Sequence, residues 1–108
     1  FTLIASFYEG WSLTLPESLS YGKFCLTSDV DPLKETGRDL VEYINPLDTY
    51  AWADRIRYYA AHPEELAIKE RYIKENWKPK TWRESTVMLM LFMQRTRRAI
   101  AKMPCGNR

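Results

Sequence analysis

The chain has 108 residues, enough for one modest domain and too few for two. Hydrophobic residues make up 45% and charged residues 28%, which excludes a disordered chain, and a formal net charge of +2 gives no reason to expect nucleic acid as a partner. The longest apolar run, Val87 to Met93 (VMLMLFM), is far short of the roughly 20 residues that a membrane-spanning helix needs, so no span is expected.

Phe1 opens directly on FTLIAS, without a methionine, so we expect a piece of a longer chain. Residues 1–6 are short, apolar and followed by a Gly-containing loop, which predicts a buried strand. Phe7 to Leu13 reads as a loop. Thr14, with Glu17 three positions on, has the capping-box pattern of a helix start, and Pro16 is tolerated in a first turn. Gly22 is expected to end that helix. Phe24 to Thr27 predicts a second buried strand, and Cys25 within it reads as a buried free thiol. Ser28 to Pro32 is turn-rich, Leu33 to Thr36 a short helical piece, and Leu40 to Ile44 a third, weaker strand.

Pro46 and Asp48 introduce a helix over 49–61, with Trp52, Ile56 and Tyr59 on one stripe. Pro63 restarts a helix through about Asn76, carrying Leu66 and Ile73 on one side with Ile68 and Tyr72 nearby. After the break at Lys78 to Lys80, Thr81 and Glu84 form a second capping box opening a helix to about Lys102. Its centre is apolar all round, which predicts a helix wedged between surfaces, with Met88 to Met93 buried. The basic residues Arg95, Arg97, Arg98, Lys102 and Arg108 read first as a solvated helix end and second as a contact with an anionic surface. Cys25 and Cys105 belong to no CxxC or Cys/His pattern, so neither a metal site nor a disulfide framework is expected, and a reducing cytosol fits. Strands alternating with helices predict parallel β-α-β units in an α/β fold. The element order is that of the second half of a doubly wound, Rossmann-like domain followed by C-terminal helices.

The segment Glu9 to Glu17, EGWSLTLPE, carries the chemistry. A loop leaving the carboxyl end of a strand for a helix is where open α/β sheets bind ligands. Gly10 and Ser12 are small enough for backbone N–H groups to approach a ligand. Leu13 and Thr14 open the helix, where unpaired N–H groups favour a phosphate. Carboxylates on both sides suit hydroxyls at both ends of a diphosphate, which describes a nucleoside diphosphate sugar. Glu17 also has a reading without a ligand, as the capping partner of Thr14.

The segment resembles the donor-binding motif of glycosyltransferase family four, of the GT-B fold: glutamate, glycine, an aromatic, a small residue and leucine, closing on a second glutamate. Here these are Glu9, Gly10, Trp11, Ser12, Leu13 and Glu17. Collinear likenesses continue through Gly22, the strand-end run Ser28, Asp29 and Val30, then Glu35 with Gly37, Pro46 to Asp48, and Trp82. Phe24 and Lys34 replace common prolines of the family, and Ser12 replaces a common glycine.

The resemblance implies a retaining hexosyltransferase of GT-B architecture, with these residues forming part of its C-terminal, donor-binding domain. Glu9 would meet the sugar hydroxyls in the catalytic centre and Glu17 the ribose. Backbone groups of Gly10, Trp11, Ser12 and Leu13 would meet sugar and diphosphate, and the Thr14 hydroxyl a phosphate. It implies no divalent metal and no cofactor other than the nucleotide-sugar substrate. The acceptor would be a glycan, a lipid-linked glycan or a small metabolite, as in polysaccharide biosynthesis. The family's Arg/Lys pair lies upstream of the motif, and residues 1–8 hold no basic residue. The chain alone is therefore expected to transfer no sugar without its missing N-terminal domain.

A cytoplasmic setting is expected, with peripheral contact at the inner membrane face. The alternative is a non-catalytic module of sugar-nucleotide-like fold used for protein or membrane-surface interaction. His62 reads as a loop or N-cap residue. Trp11 reads either as bordering the sugar or as packing the loop. Tyr58, Tyr59 and Tyr72 read as packing residues, and Lys23 and Arg38 as solvent-exposed groups near the proposed cleft.

Overall fold

Thr2–Ile4 (β1), Cys25–Ser28 (β2) and Glu42–Ile44 (β3) form one parallel sheet in the order β1-β2-β3. The computed structural model describes residues 1–101. The register pairs Leu3 with Leu26 and Leu26 with Glu42. As the central strand, β2 is buried at all four residues, which suits its unbroken run Cys-Leu-Thr-Ser. Burial of Thr27 leaves its hydroxyl without a hydrogen-bond partner.

Five helices accompany the sheet among the described residues: Thr14–Ser20 (α1), Asp31–Gly37 (α2), Thr49–Ala61 (α3), Pro63–Asn76 (α4) and Trp82–Ala101 (α5). The α/β class and the parallel β-α-β order are as the sequence pattern predicts. The chain divides into one unit, Phe1–Lys78, with the sheet and α1 to α4, and a second beginning at Pro79 that contains α5.

In the first unit α1 packs on β1 and β2 and against α2 and α4, and α3 packs against α4. Leu15, Leu19, Leu26, Leu33 and Ile73 are sealed from solvent, each contributing about 1.5–3 kcal/mol of hydrophobic stabilisation. Tyr59 is the largest fully buried side chain, its ring 4.8 Å from Phe24 and 6.1 Å from Phe1. Trp52 and Ile56 complete the α3 stripe half-buried, as their spacing predicts. The Cys25 thiol is free and buried, and burial pushes its pKa up despite the hydrogen bond from Thr2 that opposes the shift.

Local chemistry explains most boundaries. The Asp48 carboxylate accepts the Ala51 N–H at 2.9 Å and starts α3. Glu84 accepts from the Thr81 N–H at 2.8 Å while its own N–H donates to the Thr81 hydroxyl at 3.2 Å, so the capping box opening α5 is reciprocal. After α1, Gly22 takes φ +66° and donates to the Leu19 carbonyl at 2.9 Å, the left-handed helix stop its residue type permits.

Three expectations need correction. Thr14 does not cap α1: Leu13 is the N-cap residue, in helical backbone conformation, and no side chain caps it. The Glu17 N–H that a Thr14 cap would need is donated to the Leu13 carbonyl at 3.1 Å instead. Residues 1–6 pair as a strand only over Thr2–Ile4, because the Ser6 N–H leaves the ladder for the Ser28 hydroxyl at 2.9 Å. And none of the described residues of α5 is buried, whereas an enclosed helix was expected; Met88 to Met93 are all at least half exposed. Lys102, Cys105 and Arg108 lie outside the described residues.

Candidate functional site

Parallel strands end on the same edge of a sheet, so the loops after β1, β2 and β3 share its carboxyl edge. The loop after β1 spans 5–13 and leads into α1. Its root is a serine relay: the Ser6 N–H donates to Ser28 Oγ, at the end of β2, and Ser6 Oγ donates to Glu9 Oε1, both at 2.9 Å. Glu9 is thus half-buried and oriented by the strand ends rather than free in solvent.

Beyond Glu9 the loop faces outward. An added Cβ on Gly10 would meet nothing within 4 Å, so no packing inside the chain demands glycine there. Trp11 is 70% exposed, which rules out its packing the loop, and Phe7, Tyr8 and Leu13 are exposed with it. Ser12, near the end of the loop, is buried. Thr14 and Glu17 stand exposed in the first turn of α1, and among the described residues the Glu17 carboxylate has no hydrogen-bond or ion-pair partner. With the capping role removed, the structural explanation of Glu17 no longer holds.

The neighbouring loops are plainer. The Asp29 N–H donates to the Ile44 carbonyl at 2.9 Å, and the Asp29 carboxylate is paired with Lys34 on α2. Past β3, Asn45 Oδ1 accepts the Leu47 N–H at 2.9 Å, and the Asn45 carbonyl accepts Trp52 Nε1 at 3.2 Å. Glu35 is exposed on α2, and Gly37 is buried. The edge therefore carries Glu9 and Glu17 at the two ends of a segment in which Gly10, Trp11, Leu13 and Thr14 are exposed while Ser12 and Leu15 are buried. Such an arrangement can accept hydrogen bonds from hydroxyls and offer N–H groups between them. At seven residues α1 is too short to supply much dipole, so an anion here depends on loop N–H groups more than on the helix end. Among the described residues no group of three or more His, Cys, Asp or Glu is gathered to hold a metal ion.

Lys23 and Arg38, expected near the cleft, lie elsewhere. Both precede strands and so sit at the amino edge, opposite the Glu9 loop. Lys23 pairs with Glu70 of α4 at 3.2 Å. Arg38 follows α2 with φ +48°.

At that amino edge is a polar network that sequence reading missed. The Glu42 carboxylate accepts from Arg55 Nε and Nη2 and, at 2.7 Å, from the Tyr59 hydroxyl. Burial alone would raise the pKa of Glu42, but the Arg55 and Tyr59 bonds and the Arg55 charge hold it below its ordinary value. Burial and the Glu42 hydrogen bond both push the Tyr59 phenol upward. Its position opposite the loop makes it a clamp of β3 to α3 rather than part of the site. Nothing local signals it, because the partners are 13 and 17 residues apart. His62 Nδ1 lies 2.7 Å from the Tyr58 carbonyl, an acceptor only, so Nδ1 carries the proton. The ring stacks on Tyr58 at 4.3 Å, consistent with its reading as a residue of the α3–α4 junction.

No protein-family model, curated protein or solved structure matches the chain.

Proposed function

We propose that the chain is the nucleotide-sugar-recognising part of a retaining glycosyltransferase of GT-B type. The observation that carries this reading is the carboxyl-edge loop with a carboxylate on either side: Glu9 is oriented by Ser6, and Glu17 is left exposed and free of any capping duty. Glu9 accepts hydrogen bonds from sugar hydroxyls, and Glu17 from the ribose. Backbone groups of Gly10 to Leu13 meet the diphosphate between them, with the exposed Thr14 hydroxyl beside it. The motif likeness supplies the order of these roles. The α/β fold with its parallel sheet supports them. Transfer of the sugar to its acceptor belongs, in this reading, to a longer chain.

Calorimetry with a panel of nucleoside diphosphates and their sugars tests the assignment. Glu17→Ala is expected to weaken free nucleotide and nucleotide sugar alike, because both carry the ribose. Glu9→Gln is expected to weaken the nucleotide sugar selectively. A folded chain that binds none of the panel would favour the second reading, a non-catalytic interaction module, for which the exposed apolar surface of α5 is the supporting observation.

A further inference from the structure

Phe24, at the entry to β2, and Leu40 and Val41, at the entry to β3, give a buried apolar floor to a cavity of about 270 Å3 at the amino edge of the sheet. One stretch of α4 forms its other wall, where Ile68 is 66% and Tyr72 45% exposed. Charges of both signs stand at the mouth. Asp39 accepts from the Tyr72 hydroxyl at 3.0 Å. Lys69 lies three residues before Tyr72 on the same helix face. Its ammonium sits 5.1 Å from the centre of the Phe24 ring and 5.9 Å from that of Tyr59.

Lys69 is half-buried, yet among the described residues no carboxylate pairs with it. The Glu42 carboxylate, which feels its charge, is already engaged by Arg55 and Tyr59. Asp39 has only a neutral hydroxyl for a partner. A cation and an anion thus share one mouth without pairing with each other. The backbone that presents Asp39 is also strained, since Arg38 holds φ +48° and ψ −121°. Strain of this kind gathers at ligand sites.

These features select the ligand. A dicarboxylate would suit Lys69 and be repelled by Asp39, and a diamine would do the reverse. A neutral apolar molecule would bury the ammonium further with no partner, which is costly. An apolar α-amino acid satisfies both charges and the floor together. Its size also fits, because roughly 150 Å3 is enough to hold benzene, which leaves room here for the ammonium and carboxylate.

We propose that this cavity binds a free apolar α-amino acid of leucine or phenylalanine size. Its carboxylate meets Lys69, its ammonium meets Asp39, and its side chain lies on Phe24, Leu40 and Val41. The site is at the edge opposite the Glu9–Glu17 loop and does not depend on the reading of that loop.

Titration of the full chain with L-phenylalanine and L-leucine, followed by backbone amide NMR, tests this without any variant. Saturable shifts at residues 24, 39–41 and 68–72 are expected. In calorimetry, N-acetyl-L-phenylalanine lacks the ammonium, L-phenylalaninamide the carboxylate and glycine the apolar body. Each should bind at least about tenfold more weakly than L-phenylalanine. Lys69→Gln and Asp39→Asn should each weaken L-phenylalanine by a similar factor, with far-UV circular dichroism checking the fold. Lys69→Gln should not weaken L-phenylalaninamide further, because that contact is already missing. No shifts in a folded chain, or shifts confined to other residues, overturn the proposal. So does equal affinity for the uncharged-end analogues, since the cavity then recognises only apolar bulk. Parental affinity in both variants overturns it as well.

Discussion

A Cβ at Gly37 would lie 2.5 Å from Val41 Cγ2, 2.7 Å from the Tyr43 hydroxyl and 3.3 Å from Leu15 Cδ2. The glycine is therefore what lets α2 close against α1 and the approach to β3. Gly37→Ala forces those neighbours apart and should destabilise the chain by about 1–3 kcal/mol, read from a urea unfolding curve. Arg38, the next residue, holds φ +48° and ψ −121°, a conformation that glycine adopts freely and side-chain-bearing residues do not. The Tyr43 hydroxyl, donating to the Arg38 carbonyl at 2.8 Å, helps to keep it there. Arg38→Gly should stabilise by up to about 1 kcal/mol, the relief of strain exceeding the added freedom of the unfolded chain. The same urea curves check it, and a lower midpoint would show that the strain is negligible. Gly22 was legible as a helix stop because glycine advertises a left-handed turn. Arg38 was not, since nothing about an arginine announces positive φ.

Elements were read well where a local rule decided them. The starts of α3, α4 and α5 follow from Asp48, Pro63 and the Thr81–Glu84 pair, where any partner is three residues or fewer away. Reading failed where a distant partner intervened. Ser28 shortens β1 from across the sheet. The failure at α1 is local instead: the helix begins one residue earlier, the Glu17 N–H goes to the Leu13 carbonyl, and the same S/T-x-x-E pattern caps α5 and not α1. The Glu42–Arg55–Tyr59 clamp is likewise invisible to any window of sequence, and it gives β3 and α3 a pH dependence. Because the folded Glu42 pKa is depressed from 4.5, its contribution is complete above that value and is lost as pH falls through the lower, folded one. The urea midpoint should therefore fall as the pH is lowered from about 4.5 through the depressed, folded pKa. In Glu42→Gln the midpoint at pH 7 should already be lower, and its further fall on acidification smaller. An identical acid dependence in both proteins would mean that other carboxylates govern it.

At the scale of the whole molecule, the α/β order and the position of the loop at a strand's carboxyl end were legible, since periodicity and turn residues carry them. The outward face of α5 was not, because hydropathy states that a surface needs covering and not what covers it. The loop itself allows a test that separates recognition from stability, through two glycines of opposite environment. Gly37 is enclosed on three sides, whereas Gly10 has open space where its side chain would be. Gly10→Ala should leave the unfolding midpoint within about 0.5 kcal/mol of the parent, as surface substitutions do. If backbone N–H groups of Gly10 to Leu13 meet a diphosphate, the added methyl stands in the approach path. Loss of one charge-assisted hydrogen bond, about 1.5–3 kcal/mol, then weakens nucleotide-sugar binding roughly tenfold or more. Gly37→Ala should do the reverse, losing stability while binding as the parent does wherever it stays folded. Calorimetry and thermal melts on the two variants read both quantities, and parental affinity in Gly10→Ala would remove the backbone contacts from the proposed site while leaving the roles of Glu9 and Glu17 to their own substitutions.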